Sequence, residues 1–370
     1  MKRIVKILVI LILTLATIVI YLSLYGVKTD KFNKEITKNV SKINKKINLS
    51  LNEVNYLLNP LNFSINISTK NPKILLEDKS LDLKDITSNI SLKSFISNQF
   101  SIDDLKISTK EIKIKDLISL TRAVEGSPQL FVLDNITKEG LISTDINLKF
   151  DLDGEIKNNY QITGTVKKAK FNIFNKVEID DLNLLFNISN NQLTLKKIET
   201  NLNSIKLKSP LIKIEKKKDI FFVDGEVANK EQNFDIKKLK PIFGDLLNNI
   251  EIEKIDFNSV NIFSFNINKK LKLKDLKLET NLNLENFQIV KNPLNLKTFL
   301  PNYTEQIKFK DHKIKIKLIK GMLDIKGGGD IYIGDESEQL SYNVIKDAGE
   351  IKFDTNLNIK NNPLTINFLD

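Results

Sequence analysis

The sequence predicts a mostly β fold: an N-terminal transmembrane helix, then an elongated, curved, mainly antiparallel amphipathic sheet (a β-groove) with a few short helices. Three observations predict it. From Asn147 to Asn367 apolar and polar residues alternate, as in Leu193-Thr194-Leu195, Ile205-Lys206-Leu207-Lys208 and Ile314-Lys315-Ile316-Lys317-Leu318. A period of two sends every Ile, Leu and Phe to one side of a strand and every Lys, Asn, Asp and Thr to the other. An uncharged run from Ile7 to Val27 precedes this pattern. Finally, Gly and Pro are few, 13 and 8, so the strands run on without the turn-rich boundaries of a compact sandwich.

The N-terminal run is close to the ~20 apolar residues that cross a bilayer core. It ends in Tyr21-Leu22-Ser23-Leu24-Tyr25-Gly26 with no Ala-x-Ala cleavage pattern, so it reads as an uncleaved anchor. Tyr21 and Tyr25 suit the headgroup interface, and Lys2, Arg3 and Lys6 favour a cytoplasmic N-terminus. Next, Phe32, Ile36, Val40, Ile43 and Ile47 recur at spacings of four and three, which predicts an amphipathic helix. Asn59-Pro60 breaks the pattern and strands are expected from there. A second helix is expected over Asp116 to Val124. Gly126-Ser127-Pro128 ends it, and Leu130-Phe131-Val132-Leu133 reads as a short buried run. A third helical interruption is expected over Ile236 to Leu247, with a further break from Pro293 to Pro301. The division expected is an anchor over 1–27, a helix with a β/α cap region over 28–146, and the repeated amphipathic sheet over 147–370.

A local motif, apolar-x-Asp-apolar, recurs around Asp85, Asp104, Asp116, Asp181 and Asp275. It sets two apolar residues three apart, which breaks a strict period of two. A bulge or kink with Asp at the turning residue accounts for it. A hairpin is expected where Leu211-Ile212-Lys213-Ile214 returns as Ile220-Phe221-Phe222-Val223. Gly327-Gly328-Gly329 is followed by Asp330 and a strand rather than Lys-Ser/Thr and a helix, so it predicts a turn or bulge and not a phosphate loop.

The formal charge is +11, but the lysines are interspersed with acids along the strands. There is no basic stripe with interleaved aromatics, so a solvated outer face is expected and no nucleic-acid partner. With no cysteine and one histidine, His312, neither a catalytic triad nor a common zinc set can be assembled. His312 is expected on the wet face of its strand. The pairs Asp103/Asp104, Asp151/Asp153 and Asp180/Asp181 sit where turns use Asp. No enzyme activity and no cofactor or metal are expected.

The weight therefore falls on the apolar face. Its expected floor is Leu193, Leu195, Ile205, Leu207, Ile212, Ile214, Phe221, Val223, Leu271, Leu273, Leu282, Leu284, Ile314 and Ile316. Exposed apolar patches beyond a few hundred Å² rarely lack a partner, and an acyl chain gains ~0.8 kcal/mol per CH₂ taken from water.

The anchor from Ile4 to Tyr25, the segment Asn71-Pro72-Lys73-Ile74-Leu75-Leu76-Glu77-Asp78, and the run from Ile102 to Val124 continuing into Ser127-Pro128 and unbroken amphipathic strands together resemble the AsmA-like family of bacterial envelope proteins. The larger members of that family, related to YhdP and TamB, are the nearest in pattern. The resemblance implies a single-pass inner-membrane anchor, a periplasmic repeating β-groove, and movement of phospholipid toward the outer membrane. The chain is many hundreds of residues shorter than the large bridging members, which implies a shortened member, a split gene, or one part of a bridge completed by another envelope protein. The alternative expectation is an anchored scaffold or assembly factor for outer-membrane proteins, working through an open strand edge.

Overall fold

The computed structural model describes residues 2–43, 47–76, 79–97, 99, 101–124, 127–173, 177–230, 234, 251–268, 272–291, 297, 299–303 and 306–365. Among them are twenty strands and five helices, and every strand register is antiparallel. The fold class is therefore the expected one: mainly antiparallel β, few short helices, and an N-terminal apolar helix. The expected helix over Ile236 to Leu247 lies outside the described residues.

Contacts divide the chain into two compact units, one of Met1–Lys167 with Phe186–Asn190, the other of Lys168–Leu185 with Asn191–Asp370. In the first unit, helix α1 (Lys2–Leu24) contains a span, Lys6–Leu24, long and apolar enough to cross a membrane. Tyr21 and Tyr25 stack at its end with centroids 5.4 Å apart. Strand β1 (Val27–Thr29) follows, then α2 (Asn33–Ile43), β2 (Ile47–Ser50) and β3 (Val54–Asn59). Strands thus begin before Asn59-Pro60, earlier than the sequence suggested. Val27 opposes Tyr56, a pairing between segments that no local pattern reports.

The chain continues through β4 (Ser64–Lys70), β5 (Lys73–Leu76), β6 (Lys79–Ser91), the short α3 (Leu92–Ile96), β7 (Ile102–Thr109) and β8 (Ile112–Lys113). Helix α4 (Ile114–Val124) confirms the second helical expectation, burying Ile114, Ile118 and Leu120. Leu81, Leu83 and Leu120 form the core of this unit, with Ile74, Ile86, Ile107 and Ile112 packed around them.

The run Leu130–Leu133 is not a buried stretch. It lies in helix α5 (Pro128–Ile136), which buries none of its residues. The start signal was present in the sequence: Ser127 caps Leu130 N–H and Pro128 opens the first turn, the arrangement both residue types favour. Arg122 of α4 pairs with Asp134 and lies 5.3 Å over the Phe131 ring. Strand β9 (Thr137–Lys149) pairs with β7 and β8, and the unit closes with the first residues of β10 (Gln161–Ile173).

The second unit takes in the end of β10 and most of β11 (Val177–Ser189), then β12 (Gln192–Leu202), β13 (Ile205–Lys217), β14 (Ile220–Asn229), β15 (Glu251–Asn268) and β16 (Leu273–Lys291). It ends with β17 (Ile307–Ile319), β18 (Met322–Ile333), β19 (Glu336–Asp347) and β20 (Glu350–Asn358). From β12 to β20 each strand pairs with the next, a meander of nine strands and eight spacings of ~4.8 Å. The expected β13–β14 hairpin is present, with Lys217 opposite Ile220 across Lys218-Asp219. Its turn is tighter than expected because Lys218 adopts φ 54°.

Most copies of the Asp motif are interruptions of the ladder. Asp181 and Asp275 have φ 49° and 53°, the left-handed region that Asp tolerates better than most residues. The β6–β7 register shifts between Leu83 and Asp85 and again between Asn89 and Ile90, where Asp103 is the extra residue on β7. The Asp116 copy differs: it occupies the first turn of α4, where a carboxylate faces the positive end of the helix dipole.

Candidate functional site

Directly opposed residues of an antiparallel ladder share a face, so the registers locate each floor residue. On β14 the odd positions Phe221, Val223, Gly225 and Asn229 point one way. Val223 opposes Ile214, which opposes Leu193; Gly225 opposes Ile212, which opposes Leu195. Asn229 opposes Leu207 on one side and Ser259 on the other, and Ser259 leads to Leu282 and then Ile314. Phe221 opposes Ile267, which opposes Leu273. With Ile205, Leu284 and Ile316 two residues from members of this set, thirteen floor residues lie on one face. Leu271 lies outside the described residues.

Three interruptions keep them there. Leu193 and Leu195 would face away from Leu202 under strict alternation, but Lys197 has φ 51°. Across from it the β13–β14 register slips between Lys208 and Ile212, which brings Ile205 and Leu207 to the side of Ile212 and Ile214. On β16 the register slips around Asp275, which puts Leu273 on the side of Leu278. A one-residue slip otherwise reverses every later side chain.

The same face carries residues the floor expectation omitted: Phe257, Phe263, Phe265, Leu278, Ile325, Val344, Ile351 and Phe353. Their alternation, as in Phe263-Ser264-Phe265 and Ile351-Lys352-Phe353, was there to extend. Ile205 and Val223 are buried, while Leu273 is 53%, Ile351 61% and Phe353 76% exposed.

Residues outside the strands cover part of the face. The Phe234 ring lies 4.5 Å from the Phe257 ring and packs against the Ile205–Phe257 cluster, which Leu207, Leu282 and Leu284 also flank. Leu300 and Tyr303 pack on Ile307, Ile331 and Ile333, with Phe309, Leu340 and Leu357 around them. Glu338, opposite Ile331 and 2% exposed, holds the segment after β20. Its carboxylate accepts the backbone N–H groups of Lys360, Asn361 and Asn362 and the Asn362 side-chain amide. Burial alone would raise its pKa, but these donors outweigh that and hold it below the ordinary value. Leu364 and Thr365 belong to no strand; Thr365 N–H donates to Phe299 O, and the rest of the expected final strand lies outside the described residues.

His312 corrects the sequence reading. It is 1% exposed and lies on the apolar face opposite Leu284, not on the wet face. Asp311 has φ 53° and the β17–β18 register shifts between Lys310 and Lys313, turning the imidazole inward. There it packs between Phe309 and Tyr342, at 5.5 and 5.9 Å, with Nε2 3.0 Å from Asp330 O. Burial lowers its pKa from the ordinary value.

The triple glycine lies within strand β18 rather than in a turn, and the bulge alternative fits: the β17–β18 register shifts beside Gly329, between the Lys310–Asp330 and Lys313–Gly328 pairs. A Cβ on Gly327 would lie 2.5 Å from the Tyr342 hydroxyl, and one on Gly329 2.5 Å from His312 Cδ2. The glycines make room for two rings.

The acidic pairs are structural. Asp151 Oδ1 accepts N–H groups from Asp153 and Glu155 in a turn, and Asp180 is ion-paired with Lys170 at 2.9 Å. Among the described residues no group of three or more His, Cys, Asp or Glu gathers as for a metal ion. No family model, curated protein or solved structure matches the chain.

Proposed function

We infer that the chain is a single-pass inner-membrane protein whose apolar β-face holds the acyl chains of phospholipid in the periplasm, as its resemblance to the AsmA-like family implies. The observation that carries this reading is the shared face. Thirteen floor residues from five strands lie on it, kept there by interruptions that would be pointless if the side were indifferent. Among the described residues, Phe234, Leu300, Tyr303 and the segment at Asn362 cover part of it, and Leu273, Ile351 and Phe353 are left exposed. An apolar face of this kind binds chains without directional contacts, so lipid can slide along it. About eight methylenes laid on it are worth roughly 6 kcal/mol at ~0.8 kcal/mol each. The helix over Lys6–Leu24 supports the anchoring.

Native mass spectrometry of the full chain tests the reading. Phospholipid is expected to accompany the wild-type protein and the polar-face variant Lys213→Glu, and to be lost from Leu273→Glu/Phe353→Glu. A lipid-free wild-type chain, or equal retention by both variants, rejects it. The alternative, a scaffold for outer-membrane proteins, is favoured by one observation: among the described residues β20 pairs only with β19. Prolines along β20 would then abolish client binding while leaving lipid in place.

A further inference from the structure

A hollow of about 580 Å³ lies on the polar side of the meander, away from the lipid face. Two rows of directly opposed residues build it. One runs Asn281, Lys315, Lys326, Asn343 and Asp354; the next runs Asn283, Lys313, Gly328, Ser341 and Asn356. Gly328 puts no side chain between Lys313 and Ser341.

The charges around it are unevenly matched. Strand β17 presents Lys308, Lys310, Lys313, Lys315 and Lys317 on this one face. At its ends Lys308 lies 5.6 Å over the Tyr332 ring and Lys317 pairs with Glu279 at 3.6 Å; Lys310 opposes Asp330. In the middle, Lys313 and Lys315 have no ion-pair partner among the described residues, and Lys315 directly opposes Lys326. Like charges in that relation are destabilising, and Asp324, 3.5 Å from Lys326, offsets them in part. Asp354 is the one carboxylate in the lining. Beside the lysines, the amides of Asn281, Asn343 and Asn356 and the hydroxyl of Ser341 line the hollow, groups that hydrogen-bond hydroxyls and ester oxygens.

We propose that this hollow binds the phosphate ester of a polyol, the phosphate between Lys313, Lys315 and Lys326 and its hydroxyls against Ser341 and the neighbouring amides. An anion there relieves the Lys315–Lys326 repulsion, and the amides of Asn281 and Asn356 suit the remaining oxygens. The proposal does not depend on the lipid reading, because the two sites are on opposite faces.

The test is calorimetry on the full chain in non-ionic detergent at low salt, with glycerol 3-phosphate as the soluble probe. A flotation assay with vesicles of phosphatidylglycerol or phosphatidylcholine is the membrane arm. Saturable binding of glycerol 3-phosphate is expected, weakened at least tenfold in Lys313→Gln/Lys315→Gln and strengthened in Asp354→Asn. It should change less than twofold in Lys317→Gln and in Leu273→Glu/Phe353→Glu, which separates this site from the lipid face. Binding only to phosphatidylglycerol vesicles, with the same lysine dependence, identifies the ester as a lipid headgroup; binding only of the soluble probe identifies a free ester. No saturable binding in either arm, or equal loss in Lys317→Gln, overturns the proposal, provided the variants melt as wild type.

Discussion

His312 is a neutral imidazole held where solvent cannot reach it. In the unfolded chain it takes up a proton near its ordinary value of 6.5, whereas burial lowers that value in the fold. Below pH 6.5 the unfolded state therefore binds more protons, and stability falls as pH drops from there toward the lowered folded value. Denaturant titrations between pH 7.5 and 5 should show this slope, and His312→Leu should flatten it. The site is also tight. Gly329→Ala would place a methyl 2.5 Å from the ring and is expected to cost about 1–3 kcal/mol. Nothing local announced this burial. In the run Lys310-Asp311-His312-Lys313 the histidine sits among charged residues, and only the left-handed Asp311 and the glycines of the neighbouring strand bring it inside.

At the level of the strand, the Asp motif was legible because it violates the period that surrounds it. Two apolar residues three apart can share a face only if one residue drops out of the ladder. Asp275 is that residue in β16, at φ 53°. Asp275→Val should destabilise the chain by about 1–3 kcal/mol, since a β-branched side chain is strained at positive φ. Asp275→Gly, which also loses the hydrogen bond from Asn266 Nδ2, should stay within about 1 kcal/mol of wild type because glycine adopts that region freely. Comparing their denaturation midpoints isolates the backbone term; equal losses would mean that the kink is dispensable. Helix α5 was missed for the opposite reason. Four apolar residues in a row carry no period, and the Ser127-Pro128 start signal is the only local mark of the helix.

Over the whole second unit, one buried carboxylate fastens the chain end across the apolar face. Four donors converge on Glu338. Its folded pKa lies below the ordinary 4.5, so its contribution is full above that value and is lost as pH falls through the lowered folded one. Glu338→Gln should cost about 1.5–3 kcal/mol, the range for hydrogen bonds to a charged group. It should also speed amide exchange at Asn361 and Asn362 while leaving Asn229 unchanged. Uniform acceleration across the unit would instead mean that the clasp is integral to the sheet. Within each uninterrupted stretch the face was readable from alternation, but the interruptions at Lys197, between Lys208 and Ile212 and at Asp275 were needed to bring all thirteen described floor residues to one side. The residues that cover the face were not readable, because Phe234, Leu300 and Asn362 belong to no strand and lie outside the alternating pattern.

By itself the sequence determined the apolar span, the class of fold, the sidedness of each uninterrupted strand and, through the Asp motif, some of the residues at which that sidedness is corrected. Each of these follows from the period of a strand or the length of an apolar run, which the chain carries locally. Tertiary structure alone decided the burial of His312 and Glu338, the space left by Gly327 and Gly329, and the meeting of Lys315 with Lys326. Those depend on which residue of one strand stands opposite which residue of the next, a register set by pairing and bulges far apart in the chain.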